Sequence, residues 1–291
     1  MATVRLVPTV RRRRLGGTLR ELRNEAGASI DATSEAMGWD PSKLSRIENA
    51  KAHLPVRDVG ALLAHYGVTD PAVVTALEGL AQDANKTGWW TTYGNVVADG
   101  YRDYIGLEED AESTHIYAQG LIPGLLQTGA YAREIIAGTA PHLTPADVAA
   151  LAEVRMKRQA VLTDGTRPAG PLKLWAVIHE AVLSYRSAAR PALMREQLRH
   201  LLDMTDLPNI TVQVMPAAEP AHPGMVGPFH VVRFPHPWPT VINLENIRGG
   251  YFVEGTDDVK AFESAFELIV AAALPVDGSR ETLKKIMEGT S

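Results

Sequence analysis

Polar and basic side chains are concentrated between residues 42 and 51. Lys43 and Arg46 are three positions apart, so on a helix both project from one side. An arginine in that place can donate two hydrogen bonds to O6 and N7 of guanine, and small serines beside it let a helix approach the base edges. The predicted DNA-contacting side chains of this segment are Ser42, Lys43, Ser45, Arg46 and Asn49.

Other groups nearby suit phosphate oxygens rather than bases. Ser29 can offer its hydroxyl and the backbone N–H groups behind it, and Lys51 adds a positive charge. We expect residues 1–14 to form a basic N-terminal arm. It would contribute four consecutive arginines, Arg11, Arg12, Arg13 and Arg14. A run of like charges is also typical of a solvated tail, and the elements that follow it favour the DNA-binding interpretation.

Caps and breakers predict the helices that position these side chains. The first helix is predicted from leucines at helical spacing, namely Leu15, Leu19 and Leu22. Gly27 ends it, Ser29 caps a second helix and Gly38 stops that one. Asp40 and Pro41 start a third helix as an N-cap acceptor and a proline at the first helical position. Two short helices joined through a glycine turn, the second polar outside, form the geometry that enters a DNA major groove.

Glu48 lies in the third helix among the polar side chains but is expected to be structural. Its carboxylate would be repelled by phosphates. It is better placed to hold an arginine of the first helix, Arg20 or Arg23. The sequence therefore predicts that Glu48 ties the third helix to the first.

A set of residues in this region forms a known pattern. Its members are Leu19-Arg20, Gly27, Ser29, Gly38, Trp39, Ser42, Leu44-Ser45-Arg46-Ile47-Glu48-Asn49, Pro55 and Tyr66. The pattern resembles the Xre-type, phage-repressor-like helix-turn-helix family. The resemblance implies a five-helix domain, completed here by helices at residues 58–66 and 72–83. The glycine usual after the asparagine is Ala50 in this chain, so we expect strain there because alanine resists a left-handed backbone.

The charge is distributed unevenly along the chain. Residues 1–57 contain 11 basic and 6 acidic residues, whereas the remainder has a net charge of −10, which gives −5 for the whole chain. A positive head on a negative body is the electrostatic pattern of a modular regulator. The two parts of the chain are therefore expected to contact different partners.

The composition excludes several classes of protein. The 291 residues include no cysteine, so disulfides, cysteine-ligated metals and thiolate nucleophiles are excluded. Neither a bilayer-spanning apolar stretch nor a signal-peptide pattern is present, and we expect a cytoplasmic protein without a membrane anchor. No phosphate-binding loop, dinucleotide fingerprint or hydrolase motif occurs. We accordingly predict a protein that is not an enzyme and carries no cofactor.

We place a domain boundary near residue 85, with a helix-turn-helix domain over 15–85 and a second domain over 86–291. Runs of valine, isoleucine and phenylalanine bounded by breakers predict strands. These are Leu172–Ile178, Ile210–Met215, Pro228–Phe234 and Thr240–Leu244. Helical patterns are predicted for residues 101–117, 129–137, 145–162, 191–205, 257–273 and 281–287. The fold class is therefore multidomain, an all-α five-helix head followed by an α+β domain.

Aromatic residues after this boundary, together with Gln127, are candidates for a partner or effector site. The aromatic members are Trp89, Trp90, Tyr93 and Tyr101, with Tyr104 beside them. Large aromatics near a boundary also pack domains together, so both interpretations stay open. The proline-rich loop at residues 216–228 is a second candidate, because long loops in compact domains are often functional.

The histidines give little indication of chemistry. His222, His230 and His236 are eight and six residues apart, which matches no compact metal-binding spacing. The adjacent His179 and Glu180 fit a packed strand end and a helix start better than an acid–base pair. We therefore predict neither a metal site nor a catalytic centre from these residues.

Motifs in the second domain form a further pattern. They are Ile122-Pro123-Gly124-Leu125-Leu126-Gln127-Thr128, Tyr131-Ala132-Arg133, Arg155-Met156-Lys157-Arg158-Gln159, Ile178-His179-Glu180-Ala181-Val182-Leu183, Gln197-Leu198 with His200-Leu201-Leu202, and Gly227-Pro228-Phe229. They resemble an antitoxin-like domain of uncharacterised function that follows an Xre-type head in many actinomycete regulators. The resemblance implies a regulator often encoded beside a small acidic partner protein.

Together these observations predict a sequence-specific transcriptional regulator. It would read a near-palindromic operator in double-stranded DNA as a homodimer and use its second domain for dimerisation and for sensing a partner or effector. The alternative is an antitoxin-like switch whose main role is to capture a small partner protein.

Overall fold

The computed structural model describes residues 10–83, 88–187, 190–236, 238–246 and 249–289. The chain divides into two compact units. The first comprises the residues up to Trp89 with 236–238, and the second comprises 90–235 and 239–291. Among the described helices, none is both long and apolar enough to cross a membrane.

The described residues of the first unit form five α-helices. They are α1 (Val10–Glu25), α2 (Ile30–Met37), α3 (Pro41–Glu48), α4 (Val56–His65) and α5 (Pro71–Asp83). The predicted apolar stripes meet in one core, where Leu19, Leu62, Leu63 and Leu77 are fully buried. Full burial of each such side chain contributes roughly 1.5–3 kcal/mol before entropy is counted. The predicted five-helix head is confirmed.

The N-terminal arm is corrected by the start of α1. This helix begins at Val10 rather than Leu15, so the four arginines occupy its first turns. Arg12 and Arg14 are buried, with 4% and 3% of their surface exposed, and so do not belong to a solvated arm. The side chain of Arg13 and residues 1–9 lie outside the described part of the chain. Arginine is a good helix former, and the helix therefore extends through the basic run.

The second unit contains a six-stranded mixed sheet in the order β3-β2-β1-β4-β5-β6. The strands are β1 (Ser113–Ala118), β2 (Lys173–His179), β3 (Ile210–Met215), β4 (Phe229–Arg233), β5 (Val241–Asn246) and β6 (Gly249–Val253). The helices are α6 (Asp99–Asp110), α7 (Gly129–Thr139), α8 (Pro145–Arg158), α9 (Glu180–Leu183), α10 (Leu193–Met204), α11 (Thr256–Ala272) and α12 (Val276–Glu288). Short 3-10 segments lie at Trp89–Val96, Gly124–Leu126, Gln159–Leu162 and Pro223–Val226. This mixture confirms the predicted α+β class.

The strand β1 lies in the interior of the sheet and joins its two halves. It runs parallel to β2, with Ser113 opposite Lys173, and antiparallel to β4, with Ser113 opposite Arg233. On one face of the sheet, Tyr117 and Val231 pack with Phe266 of α11 in a buried cluster. The sheet is therefore antiparallel in part, as the sequence predicts.

Two of these strands were not expected. The predicted helix over 101–117 is confirmed up to Asp110, where α6 ends, and is wrong beyond it, because residues 113–118 form β1. β1 is buried on both faces from Ile116 to Ala118, so the alternation of apolar and polar residues that marks a half-buried strand is lost. β6 contains two glycines at its start and lacks a run of β-branched residues.

Candidate nucleic-acid interface

The turn between α2 and α3 is held by local caps. Ser29 Oγ accepts a hydrogen bond from the Ala32 N–H at 3.1 Å, and Gly38 ends α2 with φ +65°. Asp40 Oδ1 accepts from the Ser42 N–H at 2.8 Å, and hydrogen bonds with Ser42 lower the pKa of the Asp40 carboxyl. The caps and breakers predicted from the sequence are confirmed, and they fix where α3 begins.

Glu48 fixes the inner face of α3. Its carboxylate accepts from Arg23 Nε at 2.7 Å and from Arg23 Nη2 at 3.1 Å, which is a bidentate pair between α3 and α1. The Glu48 side chain is 2% exposed, and the hydrogen bond to it raises the pKa of Arg23. Arg23 Nη1 also donates to the carbonyl of Ala28 at 2.9 Å. The predicted structural role of Glu48 is confirmed.

The C-terminal end of α3 is held by a second arginine of α1. Arg20 Nη2 donates to the Glu48 carbonyl at 3.1 Å and to Asn49 Oδ1 at 2.8 Å. Asn49 Nδ2 donates to the Ser45 carbonyl at 2.7 Å. Both ends of the Asn49 amide are thus occupied, so Asn49 shapes the turn after α3 as well as facing solvent. Ala50 follows with φ +58°, which is the left-handed backbone expected there.

The cationic side chains on and just after the outer face of α3 differ in whether they already have partners within the first unit. Arg46 and Lys51 are exposed, and within the described residues neither side chain has an ion pair or hydrogen bond. Lys43 is half-buried, because its Nζ lies 3.8 Å from the centre of the Trp39 ring and 3.9 Å from Asp58 Oδ2. Lys43 would have to leave Asp58 to reach DNA, whereas Arg46 is already available.

The other predicted polar groups of this surface are accessible. Ser42, at the start of α3, and Ser29, at the start of α2, are exposed, and Ser45 is half-buried. The N–H groups of Ala32 and Ser42 are occupied by the caps, so the hydroxyls of these serines are the groups that the two helix starts can offer to phosphate oxygens.

The residues predicted for a partner or effector are only partly brought together. Tyr101 and Gln127 line one cavity of about 670 Å³ in the second unit. Trp89, Trp90 and Tyr93 are not among its lining residues. Trp90 is buried, and the hydroxyl of Tyr93 instead donates to Glu153 Oε1 at 2.8 Å.

The cavity wall includes a buried ion pair that the sequence analysis missed. Glu108 of α6 and Arg158 of α8 are 1% and 5% exposed and lie 2.6 Å apart. The available signal was a carboxylate on the same helical stripe as Tyr101 and Tyr104, because a charge on a buried stripe needs a partner.

The histidines of the proline-rich region do not converge. His222 caps the Gly224 N–H at 3.2 Å, whereas the His230 Nδ1 lies 2.6 Å from the Tyr104 hydroxyl. Burial lowers the pKa of His230. In the described part of the chain, no group of three histidine or carboxylate side chains is placed to hold a metal ion.

Family models match both units. A model described as a helix-turn-helix domain matches residues 14–77, so the first unit is similar to helix-turn-helix domains, which supports DNA binding and transcription regulation as its role. A model described as a domain of unknown function, DUF5753, matches residues 101–285. This second match spans more than half of the chain, and the chain therefore belongs to the DUF5753 family. Comparison with curated proteins and with solved structures gave no match.

Proposed function

We propose that the protein is a sequence-specific transcriptional regulator that reads its operator through α3. One observation carries this proposal. Arg46 is exposed on the outer face of α3 and has no ion pair or hydrogen bond within the described residues, whereas Glu48 is paired with Arg23 inside the first unit. The helix thus presents a cation to solvent and turns its carboxylate inward. An arginine in this position can contact guanine in the major groove.

Phosphate contacts would come from the ends of the neighbouring elements. Ser29 at the start of α2 and Lys51 after α3 are both exposed. Ser42 and Ser45 would let α3 approach the base edges. Lys43 would add a contact to DNA once its ion pair with Asp58 is broken. The buried Arg12 and Arg14 are not part of this proposed surface.

We further propose that the regulator acts as a dimer on a near-palindromic operator. A single head offers one short reading helix, and joining two heads makes the second binding event intramolecular. Such linkage raises apparent affinity by roughly 10²–10⁴ without new contacts. The second unit would supply the dimer contact, since its acidic charge keeps it from competing with the head for DNA.

The test is selection of bound fragments from random DNA by the full chain, followed by titration of the selected fragment at several salt concentrations. We expect an inverted repeat to be enriched, and the logarithm of the affinity to fall by roughly 0.9 per log unit of salt for each phosphate contact. Light scattering should give twice the chain mass of 31.5 kDa. Absence of enrichment together with a flat salt response would contradict the proposal.

Capture of a small partner protein is a second candidate function. Met225 and Val226, in the proline-rich loop, are 61% and 95% exposed, which is unusual for large apolar side chains. A partner encoded beside this gene should copurify with the wild-type chain and be lost from Val226→Asp. Equal recovery with both chains would assign the loop no part in capture.

A further inference from the structure

We propose that the cavity in the second unit binds an uncharged aromatic small molecule that carries a hydrogen-bond acceptor. The cavity volume of about 670 Å³ lies within the range of roughly 300–1,000 Å³ that small-molecule sites occupy. Its wall is formed by α6, α8, the ends of β1, β4 and β5, and the loop that follows β1. All of these elements belong to the second unit.

The wall is suited to a flat apolar ligand. Tyr101 and Tyr104 of α6 are joined there by the aliphatic side chains of Ile116, Ile122 and Leu125. Tyr104 and the three aliphatic residues are each at most 3% exposed, so they are held in place by packing. Aromatic rings favour offset or edge-to-face contact with one another, and a ligand ring would gain such contacts here.

The charges in the wall sum to zero, and the two buried ones, Glu108 and Arg158, are paired with each other. Arg158 Nη2 and Nε donate to the two oxygens of Glu108 at 2.6 and 2.8 Å, and Arg158 Nη1 donates to the Tyr101 hydroxyl at 2.5 Å. Arg155 Nη1 donates to Gln127 Oε1 at 2.8 Å. Glu245, which is exposed, brings the wall to two carboxylates and two arginines, so its net charge is zero. An ionised ligand would lose its hydration beside a wall without net charge, which favours an uncharged one.

One polar group of the wall has a hydrogen left for the ligand. The Tyr101 hydroxyl accepts a hydrogen bond from Arg158 Nη1, and within the described residues it donates to no other group. The Tyr104 hydroxyl and His230 Nδ1 lie 2.6 Å apart and are paired with each other. Buried polar groups are normally satisfied, and a ligand acceptor such as a carbonyl would accept the hydrogen of the Tyr101 hydroxyl.

Photolabelling of the full chain with benzophenone tests this inference. Benzophenone is uncharged and aromatic, has a carbonyl acceptor, and on irradiation forms a bond to the C–H group nearest to it. We expect peptides covering residues 101–127 to carry most of the label. The anion 4-benzoylbenzoate and the cation 4-benzoylbenzylammonium should label these peptides about tenfold less, because each must bury a net charge.

Two variants locate the labelled site. Tyr101→Ala removes one aromatic wall and should lower cavity labelling about tenfold. Tyr93→Ala is the matched control, because Tyr93 lies outside the cavity and should label as the wild type does. Circular dichroism checks that both variants are folded.

Label spread over surface peptides, or unchanged in a folded Tyr101→Ala chain, would overturn the site. If Tyr101→Ala does not fold, the inference is tested by comparing the three probes on the wild-type chain. Equal labelling of the cavity peptides by the neutral and the charged probes would overturn the assignment of an uncharged ligand. The experiment contains no DNA, and its outcome is independent of the function proposed for the head.

Discussion

Gly16 of α1 lies directly against the backbone of Glu48 at the end of α3. A Cβ atom placed on Gly16 would be 2.6 Å from the Glu48 carbonyl oxygen and 2.7 Å from that of Ile47. Such distances are far inside van der Waals contact, and backbone atoms cannot yield as the end of a flexible side chain can. The absence of a side chain at Gly16 therefore sets how closely α1 and α3 approach each other.

Gly16→Ala should loosen the contact between α1 and α3. The added methyl group must push the two backbones apart, at a cost of about 1–3 kcal/mol. Gly17→Ala is the control, since nothing lies within 4 Å of its Cβ position, and better helix propensity should stabilise α1 by roughly 0.5–1 kcal/mol. Hydrogen exchange of the α1 and α3 peptides in the full chain measures the loss of stability in Gly16→Ala and the gain in Gly17→Ala. Equal protection in the two variants would show that the close approach does not limit stability.

Glu48→Gln should destabilise the first unit although it changes few atoms. The amide cannot neutralise Arg23, which is 9% exposed, and breaking a buried pair costs about 3–5 kcal/mol at most. Glu21→Gln, an exposed change on α1, should leave stability within about 0.5 kcal/mol of the wild type. The melting temperature of the head and operator preference are measured together. Unchanged melting with an altered preference would reverse the structural assignment of Glu48.

Arg46→Ala should abolish operator-specific binding without affecting folding. The side chain is exposed and has no partner among the described residues, so only DNA contacts are lost. One bidentate arginine–guanine pair is worth about 1–3 kcal/mol of discrimination. Arg195→Ala removes the same charge from an exposed site on α10 and should bind as the wild type does. Wild-type affinity of Arg46→Ala for the selected operator would remove α3 as the reading helix.

His115 should make the second unit sensitive to acid. Burial, reinforced by the charge of Arg233, lowers the pKa of His115 from 6.5 to about 4. As the pH falls from 6.5 towards 4, the His115 ring therefore takes up a proton in the unfolded chain before it does so in the folded chain. Stability that is complete above pH 6.5 is lost progressively as the pH falls towards 4.

Melting temperatures across this pH window test the effect of His115. The loss on acidification should be smaller for His115→Gln than for the wild-type chain, whereas His142→Gln, at an exposed site, should follow the wild type. His200 and His230, whose pKa values are also lowered by burial, contribute equally to all three chains. Parallel curves for the wild type and His115→Gln would exclude His115 as the source.

The head was predictable from the sequence because its determinants are local. Ser29, Gly38 and Asp40 act on backbone groups at most a few residues away, and such caps can be read directly. The pairing of Glu48 with α1 joins residues farther apart in the chain. It could still be predicted, because phosphates would repel the Glu48 carboxylate and an arginine of α1 was therefore its better partner. The basic run was misjudged because its like charges suggested an arm, although arginine also favours a helix.

The cavity could not be predicted in the same way. Glu108 and Arg158 are 50 residues apart, and Tyr104 and His230 are 126 residues apart. Each pair joins elements that only the tertiary fold brings together, α6 with α8 and α6 with β4, and β1 itself was not predicted because it is buried on both faces. No local pattern carries such information, so the sequence analysis found Tyr101 and Gln127 but not the charges between them.

The interior position of β1 also sets an order of events during synthesis. The hydrogen-bonding edges of β1 stay unfilled until Lys173 and, later, Arg233 have left the ribosome. The five helices of the head make mostly short-range contacts and can form long before that point, since distant strand pairing is slow. Nascent chains stalled once residue 110 has left the ribosome should therefore already protect the head from protease, and the sheet should gain protection only in chains from which β4 has also emerged.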